Sequence, residues 1–560
     1  MTAFGIDFGT TNSVLAAANG TQIETVALDS PPGEWGQLGF DRVLPTVIAE
    51  EGGQLRFGWA AKRSRTRLDA VKRLFASAET VTIGTKTMAV EEAAAVFFRQ
   101  IQQRASSAGY TLDQAVVTIP ANSRGAARFR TKVSAGLSGI EVLALVNEPT
   151  AAAMAYGPRI GDGERLLVFD WGGGTLDVTV LRSVGGVFLE EASKGIQRLG
   201  GLDVDTALIK HLQTRLPSGA QIDPFDLERA KVLLSTQEST VVTVIGGSPI
   251  EVTRAELEQA VWPLIVRTGE PIDRCLADMG GARINHLILV GGSSKIPALQ
   301  RYVREKVRLE PMVDVDPMTA IAEGAALAAG ILTGQVTDYD FFLSTEHALG
   351  TVVHNDGSEK GQFSVLIPRN TKLPASATDA YNPVVDDATM VRLKVIEGDP
   401  QQPIDHEDNV ILKEWEVQLL EPRPVALAGF NIIFAYDVDG ILRVKVIDGL
   451  TQTVMMDDEL TFGAAKTKRD LVDLRRKIDA AVIEGPTTGA AQDTRSTPLS
   501  PASQASIGRL FDKVRPHVDD EEQQRIDQAI GALRAAAGTD DEDPRRDDVD
   551  RLIRAHAYLL

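Results

Sequence analysis

A strand that ends on a carboxylate, turns on glycine and threonine and returns as a strand occurs twice in this chain, and no other feature narrows its fold as much. In the stretch LLVFDWGGGTLDVTV, an apolar run ends at Asp170, Gly172, Gly173, Gly174 and Thr175 make the turn, and Asp177 opens the alternating return. Near the start, Phe4-Gly5-Ile6 leads to Asp7, then Gly9, Thr10, Thr11 and Asn12, then Val14-Leu15-Ala16. The repetition predicts an internal duplication, with a sheet in each half. A third glycine turn, Gly291-Gly292-Ser293-Ser294-Lys295, follows the strand pattern Leu287–Val290 and leads into a helix at Pro297. Helical patterns follow the hairpins, at 90–105 and 204–212, and the alternation predicts α/β layers. One such turn alone reads equally well as an ordinary glycine-rich hairpin. Three from separate strands suit a nucleoside triphosphate between two lobes, because glycine lets backbone N–H groups approach an anion. Asp7 and Asp170 would repel phosphate; they make sense as outer ligands of a hydrated Mg²⁺. Neither a G-x-x-x-x-G-K-[ST] nor a G-x-G-x-x-G pattern occurs, so P-loop and dinucleotide folds are not indicated.

The length, 560 residues, predicts several domains. A net charge of −19 speaks against binding a nucleic-acid backbone. The single cysteine, Cys275, lies in a helical pattern and reads as a packing residue in a reducing compartment. The chain enters strand-like sequence at once, without a basic leader or a long apolar span, and the expectation is a cytoplasmic monomer off the membrane.

From about Glu346 to Phe462 the pattern changes to period-two strands with Gly, Pro and Asp turns, which predicts a separate β-sandwich. Leu471, Leu474 and Ile478 fall on one face of a helix over 466–483. Residues 485–503 read as linker, and the tail beyond as short helices near 507–514, 521–537 and 549–559.

The Asp7 turn, Asn147-Glu148-Pro149-Thr150-Ala151-Ala152-Ala153, Asp170–Asp177, the Gly200-Gly201 loop and Val290–Pro297 together resemble the seventy-kilodalton heat-shock chaperones of DnaK type. Sugar kinases and actins share the hairpins but not the Asn147–Ala153 stretch or the β-domain. The resemblance runs over roughly residues 1–480 and implies an actin-like (ribonuclease H-like) two-lobed ATPase at 1–336, its lobes meeting near 165. A linker at 337–345, a peptide-binding sandwich at 346–462, a lid-like helix at 463–484 and a short helical C-terminal region (504–560) follow. It implies ATP, ADP and Mg²⁺ as ligands. Thr10, Thr11 and Asn12 with Gly9 match one phosphate loop, and Gly172, Gly173, Gly174 and Thr175 the other. Gly200, Gly201, Gly291, Gly292 and Ser293 match further nucleotide contacts.

By the same resemblance Lys62, in G-x-x-A-K, falls at the catalytic lysine, Glu148 links nucleotide, Mg²⁺ and hinge, and Asp177 lies near the attacking water. Asp7 and Asp170 hold Mg²⁺ through water. Glu228, Lys231 and Ser235 match adenosine contacts, while Val232 and Lys295 stand where arginines usually flank the adenine, which implies weaker ATP binding. Pro120 matches a relay proline, and Phe341, Phe342 and Leu343 an allosteric linker. Tyr381, Val391 and Leu393 match the lining of a peptide channel; from pattern alone Val391 and Leu393 read equally as sandwich core. The implied partners are extended apolar peptides of unfolded proteins and a J-domain cochaperone, with or without an exchange factor. The implied activity is an ATP-dependent chaperone. The alternatives are a nucleotide-gated scaffold with little turnover and, with no role for the β-domain, a small-molecule kinase.

Overall fold

A computed structural model describes residues 2–75, 77–121, 123, 125–336, 344–345, 347–354, 361–406, 408–437, 441–464, 467–481, 483, 518, 520–535, 545–546, 549 and 552–553. The chain divides into two compact units: Met1–Asn122 with Thr131–Asp340 and Ala464–Leu560, and Ser123–Arg130 with Phe341–Gly463.

In the first unit β1 (Ala3–Phe8), β2 (Asn12–Asn19) and β3 (Gln22–Val26) form an antiparallel meander. Two parallel strands, β4 (Gln114–Ile119) and β5 (Glu141–Asn147), extend it beyond β1, giving the order β5-β4-β1-β2-β3. The second sheet repeats the plan. β6 (Arg165–Trp171), β7 (Leu176–Val184) and β8 (Val187–Ile196) meander, and β9 (His286–Val290) joins β6 in parallel, in the order β8-β7-β6-β9. The duplication expected from the two hairpins is therefore present as topology. β1 and β6 are the central strands, and both end on the carboxylate-bearing turns.

Helices cover these sheets. α1 (Val90–Ser107) brings Phe97 and Phe98 against Phe8, with ring centroids 6.0 and 4.7 Å away. α2 (Glu148–Tyr156) takes Pro149 in its first turn, where a missing N–H costs nothing. α3 (Gly201–Leu212) opens at Gly200-Gly201-Leu202-Asp203, where Asp203 reaches back to the Gly200 N–H at 2.8 Å and caps it. α4 (Pro224–Leu233) is capped by Asp223. The alanine-rich α5 (Ala320–Leu332) packs at backbone distance. A Cβ on Gly5 would stand 2.1 Å from the Ala326 nitrogen, and one on Gly324 1.7 Å from the Ala151 carbonyl oxygen. Cys275 is buried in the core of the second sheet, with its thiol on the Val178 carbonyl at 3.2 Å, and burial pushes its pKa up to about 12. It is a packing residue.

α6 (Lys468–Ala480) buries Leu474 and Ile478, as its period predicts. It lies on α1, where Arg99 donates to the Ile478 carbonyl at 3.0 Å and pairs with Asp479 at 2.9 Å. Of the tail helices expected, Asp520–Ala535 is present, and Ile526, Val549 and Ile553 share a small core. Residues 507–514 lie outside the described residues, as do most of 549–559.

The second unit holds two four-stranded antiparallel sheets. Their orders are β11-β10-β13-β14 and β12-β15-β16-β17, with β10 Ala348–Val353, β11 Gln362–Ile367, β12 Ala375–Tyr381, β13 Met390–Gly398, β14 Val410–Gln418, β15 Phe430–Tyr436, β16 Leu442–Asp448 and β17 Val454–Glu459. Leu349, Val395, Phe434 and Val444 fill the space between them. Phe341, Phe342 and Leu343 lie outside the described residues. Among the described residues no helix is long and apolar enough to cross a membrane.

Candidate functional site

The two carboxylate-bearing turns meet. Gly9, Thr10, Thr11, Asn12, Gly172, Gly173, Thr175, Gly291 and Gly292 line one cavity with Asp7, Lys72, Glu148 and Asp170. The contact between the turns explains Gly173 and Gly174. A Cβ on Gly173 would stand 2.1 Å from the Thr11 hydroxyl oxygen, and none of Gly172, Gly173 or Gly174 has positive φ. Close approach, rather than unusual dihedrals, crowds a side chain at Gly173 and Gly174, whereas a Cβ at Gly172 would meet only Asp170 Oδ1, at 3.8 Å. Gly291 meets both demands, with φ +80° and its would-be Cβ 2.5 Å from the Trp171 carbonyl oxygen.

The remaining loop residues support this wall from behind. Gly201 N–H donates to the Gly172 carbonyl and Leu202 N–H to that of Gly173, each at 3.0 Å, and the Ser293 hydroxyl donates to the Gly172 carbonyl at 2.9 Å. A Cβ on Gly200 would stand 2.5 Å from the Gly173 carbonyl carbon. Gly174, Gly200, Gly201 and Ser293 are therefore supports of the loop and do not line the cavity.

The floor is acidic. Asp170 and Asp177 face each other across the β6–β7 ladder; Glu148, Asp170 and Asp177 are buried, and Asp7 is partly buried. Burial, then the neighbouring Glu148, raises the Asp7 pKa to about 7, against the pull of Lys72 and of the Thr118 hydroxyl at 3.2 Å. Burial and the charges of Glu148, Asp177 and Asp7 push Asp170 well above the ordinary carboxylate range. Lys72 answers this charge: its ammonium donates to Glu148 and to the Phe8 carbonyl, each at 2.6 Å. Among the described residues no three His, Cys, Asp or Glu side chains cage a metal directly. Carboxylates that repel one another at close quarters fit a bound cation, and Asp7 and Asp170 would hold a hydrated Mg²⁺ through its waters.

Lys62 is not at this floor, which corrects the sequence expectation. Its ammonium is buried in an ion pair with Glu228 at 2.8 Å, 5.6 Å from the Trp59 ring centroid, and it lines a second cavity with Arg67, Asp205 and Glu228. The lysine among the carboxylates is Lys72, in Ala70-Val71-Lys72-Arg73-Leu74. Sequence context favoured Lys62, and the partner that decides the matter, Glu148, is 76 residues from Lys72.

Glu228 and Lys231 share α4, as their spacing requires, but both are engaged within the protein. Glu228 holds Lys62, and burial raises its pKa less than Lys62 and Lys231 lower it. Lys231 pairs with Asp205 at 2.7 Å, and Lys295 pairs with Asp316 at 2.9 Å outside the lining of the carboxylate cavity. Ser235 lies just beyond the end of α4, with its N–H on the Val232 carbonyl. Above them an aromatic cluster joins the two halves. Trp35 and Trp59 lie 5.6 and 6.4 Å from the Phe225 ring, Arg63 stands 4.6 Å over that ring, and Arg229 pairs with Glu34 at 2.7 Å. Pro120 directly follows β4.

In the β unit, Leu393 is only 4% exposed and packs in the sandwich core. Val391, on the same face of β13, and Tyr381 are partly buried, and the Tyr381 hydroxyl shares a hydrogen bond with Ser364 at 3.0 Å.

Comparisons with known proteins agree with this architecture. A model of the Hsp70 protein family matches residues 71–558. A chaperone protein DnaK from Thermus thermophilus is 30% identical over 93% of this chain and 93% of its own length. Those of Metamycoplasma hominis and Mycoplasmopsis synoviae are 31% and 33% identical, over 85% and 80% of this chain and 82% and 77% of their own. With two carboxylate-bearing turns closing on one cavity, a β-sandwich after them and a family match along most of its length, this chain belongs to the Hsp70 family.

Proposed function

We propose that this protein is an ATP-driven chaperone. It hydrolyses ATP to ADP and phosphate between its glycine–threonine turns and binds extended apolar segments of unfolded proteins in its β-sandwich. The observation that carries the reading is Lys72, a largely buried cation in a ring of largely buried carboxylates beneath two turns that offer backbone N–H groups and hydroxyls. Thr10, Thr11 and Thr175 with the loop amides would hold the β- and γ-phosphates, and Lys72 would neutralise charge on the transferred phosphoryl group. Asp177 and Glu148 would orient the attacking water and take up its proton. Mg²⁺, held through water by Asp7 and Asp170, would supply further neutralisation of the phosphate oxygens. Peptide release follows if ATP binds more tightly to one conformation of the chain than to another. A J-domain partner fits the same reading.

The scaffold alternative draws on one observation: Glu228, Lys231 and Lys295, the groups expected beside the adenosine, are all tied in ion pairs. Single-turnover ATP hydrolysis by the full chain, with and without an apolar peptide, separates the readings. We expect hydrolysis that the peptide accelerates. No hydrolysis favours the scaffold, and hydrolysis indifferent to peptide removes the coupling.

A further inference from the structure

We propose that Arg73 is a positioning residue for phosphoryl transfer, a strap from the first half of the nucleotide unit that fixes the second phosphate loop. The inference rests on the reading that the chain hydrolyses ATP.

Arg73 follows Lys72 in the short 3₁₀ turn Val71–Leu74, so their side chains leave the turn in different directions. Lys72 goes to Glu148. The guanidinium of Arg73 reaches across to the other half, where Nη2 donates to the Gly174 carbonyl and pairs with Asp203 Oδ2 at 3.1 Å. Asp203 is the residue that accepts the Gly200 N–H at 2.8 Å and caps α3, whose first N–H groups hold the Gly172 and Gly173 carbonyls. One side chain thus grips the phosphate loop directly and, through Asp203, the helix end that backs it. Gly174 leaves room for this: its would-be Cβ is 2.9 Å from Arg73 Nε and 2.7 Å from the Thr10 hydroxyl oxygen.

The consequence is geometric. In a trans peptide the C=O and N–H point opposite ways. With the Gly174 carbonyl held by Arg73, the Thr175 N–H of the same peptide points away from Arg73, and Thr175 lines the cavity. A donor fixed before reaction contributes more to the transition state than one that must first reorient. The strap joins the two halves of the cleft, so the loop is fixed only when they are closed. Lysine would keep the charge but replace the rigid, planar guanidinium, whose Nη2 meets both acceptors, with a compact ammonium on a flexible stem.

The test uses the full chain, Arg73→Lys and Asp203→Asn. Arg73→Lys is expected to slow single-turnover hydrolysis by about 10- to 100-fold, toward the loss seen when one transition-state donor is removed. KM for ATP and affinity for ADP should stay close to those of the unaltered chain, while affinity for ADP with aluminium fluoride, a mimic of the transferring group, falls in step with the rate. Asp203→Asn should lose part of the rate, and the double variant little more than Arg73→Lys alone. A rate unchanged in Arg73→Lys overturns the proposal and leaves the function standing. Equal losses of ADP and ADP–aluminium fluoride affinity also overturn it, since a purely structural role has that signature. An unaltered chain that does not hydrolyse ATP overturns the reading of function and this proposal with it.

Discussion

Lys72 and Lys62 are both paired to a glutamate, yet they line different cavities. Lys72→Ala would leave Glu148, Asp7 and Asp170 without their cation, and single-turnover hydrolysis should fall by about 100-fold or more. Lys62→Ala breaks the pair with Glu228, so hydrolysis should persist while release of a fluorescent ADP, followed by stopped flow, becomes faster. The sequence could not separate the two lysines: each follows a short alanine-containing run, and their partners lie 76 and 166 residues away. The carboxylates themselves were legible, because Asp7, Asp170 and Asp177 are fixed by the strand-turn pattern that positions them.

Asp7 adds a pH dependence whose sign follows from its environment. Its folded pKa of about 7 lies above the ordinary 3.8. Its stability contribution is complete below the lower value and is lost as pH rises toward the upper one, because the folded state retains a proton that the unfolded chain has released. The loss approaches roughly 4 kcal/mol at most, from the size of the shift. Urea unfolding of the ligand-free chain should therefore show a larger drop in stability between pH 5 and pH 7.5 than Asp7→Asn shows. Equal drops in the two proteins would remove Asp7 as the cause.

At the scale of elements, α5 shows what an alanine- and glycine-rich helix is for. It approaches β1 and α2 so closely that Gly5 and Gly324 face backbone atoms, which cannot move aside as a side-chain tip can. Gly324→Ala should cost about 1–3 kcal/mol or more, the range for overpacking a filled core. Gly531→Ala, in a helix with nothing within 4 Å of the added methyl, should be neutral or stabilising by about 0.5–1 kcal/mol. Urea midpoints of the two variants check the contrast.

Most elements were legible, because period two and period 3.6 survive in the exposed faces of β15, β16 and α6. The reason for the glycines was less so. Gly172–Gly174 could be read as conformational freedom, and only the contact of Gly173 with Thr11 shows that crowding decides at that position. Leu393 is a similar case. Alternation places it on one face with Val391, but whether that face meets ligand or core depends on β15 and β16 packing across the sandwich.

For the whole molecule, the two units have separate cores, one around β6 and the other between the sheets of the sandwich. Units with separate cores need not unfold in one cooperative step. Calorimetry of the full chain should show more than one transition. Adding ADP with Mg²⁺ should raise the transition of the nucleotide unit, since a ligand stabilises only the species that binds it. A single transition that shifts as one would refute this. The unit division itself was only partly readable. The change from α/β to β patterning near residue 346 was plain, whereas the placement of α6 against α1 depends on Arg99 meeting the Ile478 carbonyl, a contact across 379 residues.

The aromatic cluster that joins the halves of the cleft gives the protein an optical signal of its own. Two of its five tryptophans, Trp35 and Trp59, are buried against each other at 5.0 Å and against Phe225 from the opposite half. Any parting of the halves would bring water to those indoles and shift their emission to longer wavelength, without a dye or a label. Trp171 sits deep in the sheet, Trp415 lies in the sandwich and Trp262 is already exposed beside Tyr302, so a Phe225→Leu variant should shift the spectrum by acting on Trp35 and Trp59. The opening and closing of this cleft can then be timed by fluorescence on the unmodified chain, nucleotide by nucleotide.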